Sequence, residues 1–159
     1  MTVPAANPGY APATGPPGGG HVAADGSLLW WRAFPGRDDQ IREVRRWLAG
    51  LLPGVPERDD VVTVAVELAT NAIRHSASGR GGVVAVEVTW SGPVMRVAVA
   101  DGGAPHGPRL SPGTGGLAER GRGLHLVRAL SVRTGVCGDH RGRLVWAEVG
   151  WPAPEASRG

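Results

Sequence analysis

Lysine is missing from this chain altogether, and cysteine occurs once, as Cys137. A single thiol excludes an internal disulfide. No apolar run approaches the ~20 residues that a membrane helix requires, and the N-terminus lacks the charged-then-apolar pattern of a secretion signal. A cytoplasmic location without a membrane partner is therefore the expectation. His21, His75, His106, His125 and His140 show none of the spacings of a metal-ligand set, which argues against a metal site built from protein ligands alone. The missing lysine also qualifies the net charge of +3. Every basic side chain is an arginine, in a background rich in Ala, Gly, Pro and Val that reflects GC-rich coding more than a selected basic surface. The tightest basic group, Arg42, Arg45 and Arg46, shares its segment with Asp38, Asp39 and Glu43. That mixture describes a solvated helix face, so direct nucleic-acid binding is not expected, while docking of an acidic protein stays open.

What is present amounts to one domain. The chain has 159 residues, 42% of them hydrophobic. Residues 1–27 are dominated by Pro, Gly and Ala and bury too little apolar surface to offset their conformational entropy, so they read as a disordered tail. The folded domain is expected over 28–152, followed by a frayed end at 153–159. Within it, Leu28 to Phe34 is strand-like and stops at Pro35-Gly36. The stripe Ile41, Val44, Trp47, Leu48, Leu51 predicts a first helix, and a second begins after Pro56. Val83 to Trp90 and Val94 to Ala100 predict a hairpin turned at Ser91-Gly92-Pro93. Residues 102–120 form a long Gly/Pro-rich loop, of the kind that is usually functional or mobile. A third helix (Leu124, Leu126, Val127, Leu130) and two strands, Val132 to Cys137 and Leu144 to Trp151, complete the pattern. Strands backed by helices on one face make an α/β two-layer sandwich, with a mixed, mostly antiparallel sheet.

The second helix carries the most telling residues. Glu67 and Asn71 lie four apart, which stacks them on one helix face inside the apolar run Val61 to Ile73. A carboxylate beside a carboxamide oxygen suits a hard octahedral cation such as Mg²⁺, bound directly or through its waters. A plain solvent-facing polar stripe is the competing explanation. Downstream, the strand pattern Val94 to Ala100 ends in Asp101-Gly102-Gly103, and Gly121-Arg122-Gly123-Leu124 opens the third helix.

In this order and spacing, the three segments resemble the N box and the two glycine boxes of the GHKL (histidine kinase-like) ATPase superfamily. The likeness is greatest to its small branch, the anti-sigma factor serine kinases and the stand-alone ATP-binding regulators of actinobacteria. It rests on Glu67-Leu68-Ala69-Thr70-Asn71-Ala72-Ile73-Arg74-His75, the Gly121-Arg122-Gly123-Leu124 box and Val145-Trp146-Ala147-Glu148, and runs from about Trp31 to Trp151. The resemblance implies ATP and Mg²⁺ as cofactors and the ATP-binding sandwich fold of that superfamily. It implies Asn71 as the Mg²⁺ ligand and Glu67 as the base that orients or deprotonates the nucleophile. Asp101 would accept the exocyclic amine of adenine, with Gly103 letting backbone approach the ring. Gly121, Arg122, Gly123 and Leu124 would hold phosphates at a helix N-terminus. Arg74 and His75 would line the site.

Each residue also has a plainer role. Asp101 is a natural turn former before Gly-Gly, Gly-x-Gly is an ordinary loop-to-helix junction, and His75 equally suits a helix C-cap. The chain departs from the family at two positions: Pro105 stands where many relatives have Gly, and Leu144 where a Thr hydroxyl often helps hold adenine. The implied function is an ATP-dependent serine/threonine protein kinase acting on an anti-sigma factor antagonist, with that antagonist or a sigma factor as protein partner and homodimerisation left open. The alternative is a nucleotide-binding-impaired protein-docking module of the same fold with no phosphotransfer.

Overall fold

The computed structural model describes residues 20–22, 24–103 and 122–150. Its chain order is β1 (Gly20–Val22), β2 (Leu28–Pro35), α1 (Ile41–Leu51), α2 (Arg58–His75), β3 (Val83–Ser91), β4 (Val94–Asp101), α3 (Arg122–Leu130), β5 (Arg133–Gly138) and β6 (Arg143–Gly150). Short 3₁₀ turns at Asp38–Gln40 and Ala77–Gly79 lead into α1 and out of α2. The six strands form one sheet in the order β1-β2-β3-β4-β6-β5. The α/β two-layer sandwich expected from the sequence is the observed architecture. The sheet, expected to be mixed but mostly antiparallel, is antiparallel at every described pairing. The reason is β6, which inserts between β4 and β5 and separates the two strands that run the same way.

A second correction concerns the N-terminal segment. β1 lies inside the stretch expected to be disordered and pairs with β2, Gly20 opposite Trp30. A Cβ on Gly20 would press into the Trp30 indole, so the missing side chain makes room for the aromatic ring. The turn that follows is held by Asp25, whose Oδ1 accepts from the backbone N–H and the hydroxyl of Ser27. Residues 1–19 and 151–159 lie outside the described residues, as does most of the 102–120 loop, Pro105 included.

The hairpin between β3 and β4 forms where Gly and Pro predicted it. Ser91 pairs with Val94, and Gly92 takes φ +61°, as the first central position of a II′ turn requires. The Trp90 indole donates to the Gly92 carbonyl (2.7 Å) and clamps the turn. On the strands, residues alternate between the two faces. Val84, Val86 and Val88 of β3 and Met95, Val97 and Val99 of β4 are fully buried on one face, under the helices.

α2 is the central element of the helix layer. It packs on β3, β4 and β6, with α1 and α3 against it. Nine of its residues are buried, from Val61 to Ile73. Its many valines are mediocre helix formers, so tertiary burial rather than propensity holds this helix. Its beginning is acidic (Asp59, Asp60) and its end basic (Arg74, His75), in accord with the helix dipole. No helix among the described residues is long and apolar enough to cross a membrane.

Candidate functional site

With its apolar circumference committed to the core, α2 has one polar stripe left. Glu67 and Asn71 are half-buried on it, and Arg74 and His75 are exposed near its end. Glu67 does not face open solvent. A Cβ on Gly123 would collide with its Oε2, so the carboxylate occupies the space that a side chain at Gly123 would fill. Gly123 is the second residue of α3, whose first-turn N–H groups have no partner within the helix. A carboxylate is thus held against the end of a helix that favours anions. Asn71 sits one turn further along the same face, about 6 Å by helix rise.

The far end of α2 is fixed to the end of β4. Ser76 supplies the C-cap: its hydroxyl donates to the Ala72 carbonyl (2.6 Å) and accepts from Ser78 N–H (3.1 Å). The cap considered for His75 therefore belongs to the next residue. Ser78 Oγ in turn accepts from Gly102 N–H (2.9 Å), and Ala77 N–H donates to the Gly103 carbonyl (2.9 Å). These bonds set Asp101, Gly102 and Gly103 at the C-terminal end of α2. The span from Glu67 to Ser76 is roughly 13 Å along the helix.

Asp101 is the most constrained of the predicted residues. Its side chain is 1% exposed, on the helix-facing side of β4. Oδ1 accepts from Gly103 N–H (2.6 Å), which is the Asx-type turn anticipated for an Asp before Gly-Gly. Oδ2 accepts from Nη2 of Arg143 (3.2 Å), whose side chain is 7% exposed. Register explains the pair: Asp101 lies opposite Arg143 in the β4–β6 ladder, so both point to the same face. The same register corrects the reading of Leu144. That residue is opposite Ala100 and projects from the other face of the sheet, so the residue beside Asp101 is Arg143.

Gly103 is also explained differently from the expectation. It has φ +76°, and a Cβ there would strike the His140 carbonyl, so packing against the β5–β6 turn already requires glycine. Leu124, expected near phosphates, turns its side chain into a small apolar cavity of about 10 Å³ with Leu68, Val127, Val136 and Val145. It is a packing residue, and only its backbone N–H, in the first turn of α3, is suited to an anion. Arg74 makes a surface ion pair with Asp38 (Nε to Oδ1, 3.6 Å). Exposed pairs of this kind are weak enough to leave a side chain free to turn. Arg122 takes the first position of α3, and Gly121 lies outside the described residues.

The structure thus brings Glu67 and Gly123 together, with Asn71 one turn along the same helix face, and ties Asp101 and Gly103 to the other end of that helix. A model of the histidine kinase-like ATPase domain matches residues 34–148, most of the chain. The chain belongs to the histidine kinase-like ATPase family. No curated protein matches it. Membership of this ATPase family supports an ATP-binding regulatory function, and the matched residues span α1 to β6 with the candidate site inside them. For Mg²⁺, the donor chemistry is the relevant observation. Among the described residues no group of three His, Cys, Asp or Glu side chains is placed to hold a metal ion. A carboxamide oxygen at Asn71 suits a hard cation that takes its other ligands from phosphates and water, as Mg²⁺ commonly does.

Ser76, Ser78 and Arg143 are site-building residues that the sequence reading missed. The serines follow the helix directly, and a Ser after the last helical turn is a usable local signal. Arg143 carried no such signal, since its role depends on strand register.

Proposed function

We propose that this domain is an ATP-binding regulator of the anti-sigma factor type, transferring the γ-phosphoryl group of ATP to a serine of an anti-sigma factor antagonist. The observation that carries the reading is the Glu67 carboxylate packed into the side-chain space of Gly123 at the start of α3. A carboxylate beside the first turn of α3, whose N–H groups suit a terminal phosphate, supports a proton-acceptor role for Glu67. The distance from there to Asp101, about two turns of α2 and its cap, is of the order of a nucleoside triphosphate.

In this reading, Glu67 takes the proton from the attacking serine hydroxyl as its oxygen bonds to the γ-phosphorus. The bond from that phosphorus to the bridging oxygen breaks, and ADP leaves with the electron pair. Asn71 would hold Mg²⁺, which would supply charge neutralisation on the phosphates. The first-turn N–H groups of α3 orient the phosphoryl oxygens, and Asp101 receives the base. A docking module without phosphotransfer is the second reading, and the pairing of Asp101 with Arg143 favours it, because the carboxylate already has two donors.

The deciding experiment incubates the chain and γ-labelled ATP with proteins of the antagonist class. Label on a serine of the acceptor is expected, with transfer falling by about 10²–10⁴-fold in Glu67→Gln while ATP binding persists. Binding of ATP without transfer to any acceptor would establish the docking module instead.

A further inference from the structure

The sheet has a second face, and register decides what it carries. Across β2, β3, β4, β6 and β5, the side chains that point away from the helices fall into rows. The row nearest the Asp101 end of β4 is Ala33, Ala85, Ala100, Leu144 and Cys137, five small or apolar side chains without a charge. Ala33 and Cys137 are exposed, and the other three are half-buried. The next row holds two half-buried tryptophans, Trp31 and Trp146, with Glu87 and Ala98 between them. The row beyond it is charged: Arg133 pairs with Glu148 (3.6 Å), and Arg96 lies over the Trp146 ring. Among the described residues, α1, α2 and α3 all lie on the opposite side of the sheet. The chain therefore turns a flat, charge-free band and a ridge of two aromatic rings towards water on one continuous face. Monomeric proteins rarely leave a contiguous apolar patch of this kind uncovered.

We infer that this face receives a second copy of the chain, the two sheets packing against each other about a two-fold axis. Charge names the occupant. Arg96 and Arg133 balance Glu87 and Glu148, so the face has no net charge with which to select an acidic or a basic partner. An isologous interface needs only to complement itself, and a face with both signs in register can do so. Shape agrees. Sheets stacked face to face sit about 10 Å apart, and alanine on three adjacent strands leaves depth for the Trp31 and Trp146 rings of the facing copy. Five strands about 4.8 Å apart, with a rise of about 3.3 Å per residue, give a face on the order of 600 Å² in projection. That approaches the roughly 800 Å² of accessible surface that each partner contributes to a standard interface. The band lies on the reverse of β4 and β6 from Asp101 and Arg143, so the inference stands apart from the proposed phosphotransfer.

The test is sedimentation equilibrium of the full chain between about 1 and 100 μM, in wild type, Ala100→Arg, Ala33→Arg and Arg45→Glu. Ala100→Arg puts a charge at the centre of the band, and Ala33→Arg puts one at an exposed position of the same row. Thermal melts are recorded for both, and Ala33→Arg decides if Ala100→Arg fails to fold. Arg45→Glu alters the exposed side of α1, on the other layer, and serves as the control. Wild type and the control are expected to sediment at twice the chain mass. The two band variants should dissociate, with Kd raised by about 100-fold or more, the effect of an unpaired charge carried into an apolar contact. A wild-type chain that stays monomeric at about 100 μM would overturn the inference and leave the face to a different protein. A dimer that both band variants leave intact, or that Arg45→Glu dissociates as readily, would overturn it by placing the contact elsewhere.

Discussion

Glu67 and Gly123 define each other. The carboxylate fills the one place where a side chain at Gly123 would go, so Gly123→Ala must displace it from the N-terminus of α3. Stability should change little, because the displaced atom is the end of a flexible side chain. Transfer should fall by about 10²-fold, the usual consequence of moving a reacting group by an ångström, with nucleotide affinity nearly kept. Single-turnover transfer beside a binding titration checks this; a parallel loss of both would mean that Glu67 serves binding rather than chemistry. The Glu67/Asn71 pair was legible in the sequence because a four-residue spacing on a helix is independent of tertiary structure. Arg143 was not, because which strand residue faces Asp101 is fixed only by register. A one-residue difference in register puts the neighbour on the opposite face, and that is the difference between Leu144 and Arg143.

At the scale of elements, α2 works as a ruler with both ends fixed. One end meets α3 through Glu67, and the other is joined to β4 through Ser76, Ser78 and the Gly102 and Gly103 backbone. Removing the Ser78 hydroxyl leaves Gly102 N–H without its acceptor. Ser78→Ala should therefore cost about 1–3 kcal/mol, read as a lower urea midpoint at unchanged slope. It should also loosen Asp101 and weaken nucleotide binding, whereas a substitution at the exposed Arg45 should change neither. The turn around Ser78 tolerates no bulk either. A Cβ on Gly36 would run into the Ser78 carbonyl, so Gly36→Ala should lower the melting temperature by several degrees. The helices and the β3–β4 hairpin were readable because periodicity and Gly92-Pro93 specify them locally. The edge strand β1 was not, since its residues have little strand propensity and it exists by pairing with β2.

For the molecule as a whole, one sheet face is covered by α1, α2 and α3, and the site lies on that covered side. The other face carries its own organisation. The Trp146 indole lies over Gly135, where a Cβ would overlap it, and the Arg96 guanidinium sits 4.3 Å from its ring centre. Arg133 pairs with Glu148 beside it (3.6 Å). This face is built from cross-strand contacts of residues in register, and no sequence periodicity announces them. The two-layer sandwich itself was legible, since alternating strands and amphipathic helices leave few other ways to bury both apolar surfaces.

The central claim is that the polar stripe of α2 is a triphosphate site, and calorimetric titration of Mg·ATP into wild type and Asn71→Ala tests it most directly. Saturable, magnesium-dependent binding is predicted for wild type, weakened by roughly 10–100-fold in the variant, the range typical of a lost partner around a metal. A folded wild-type chain that gives no saturable heat of binding at millimolar ATP, or a variant that binds as tightly as wild type in the presence of Mg²⁺, would contradict it.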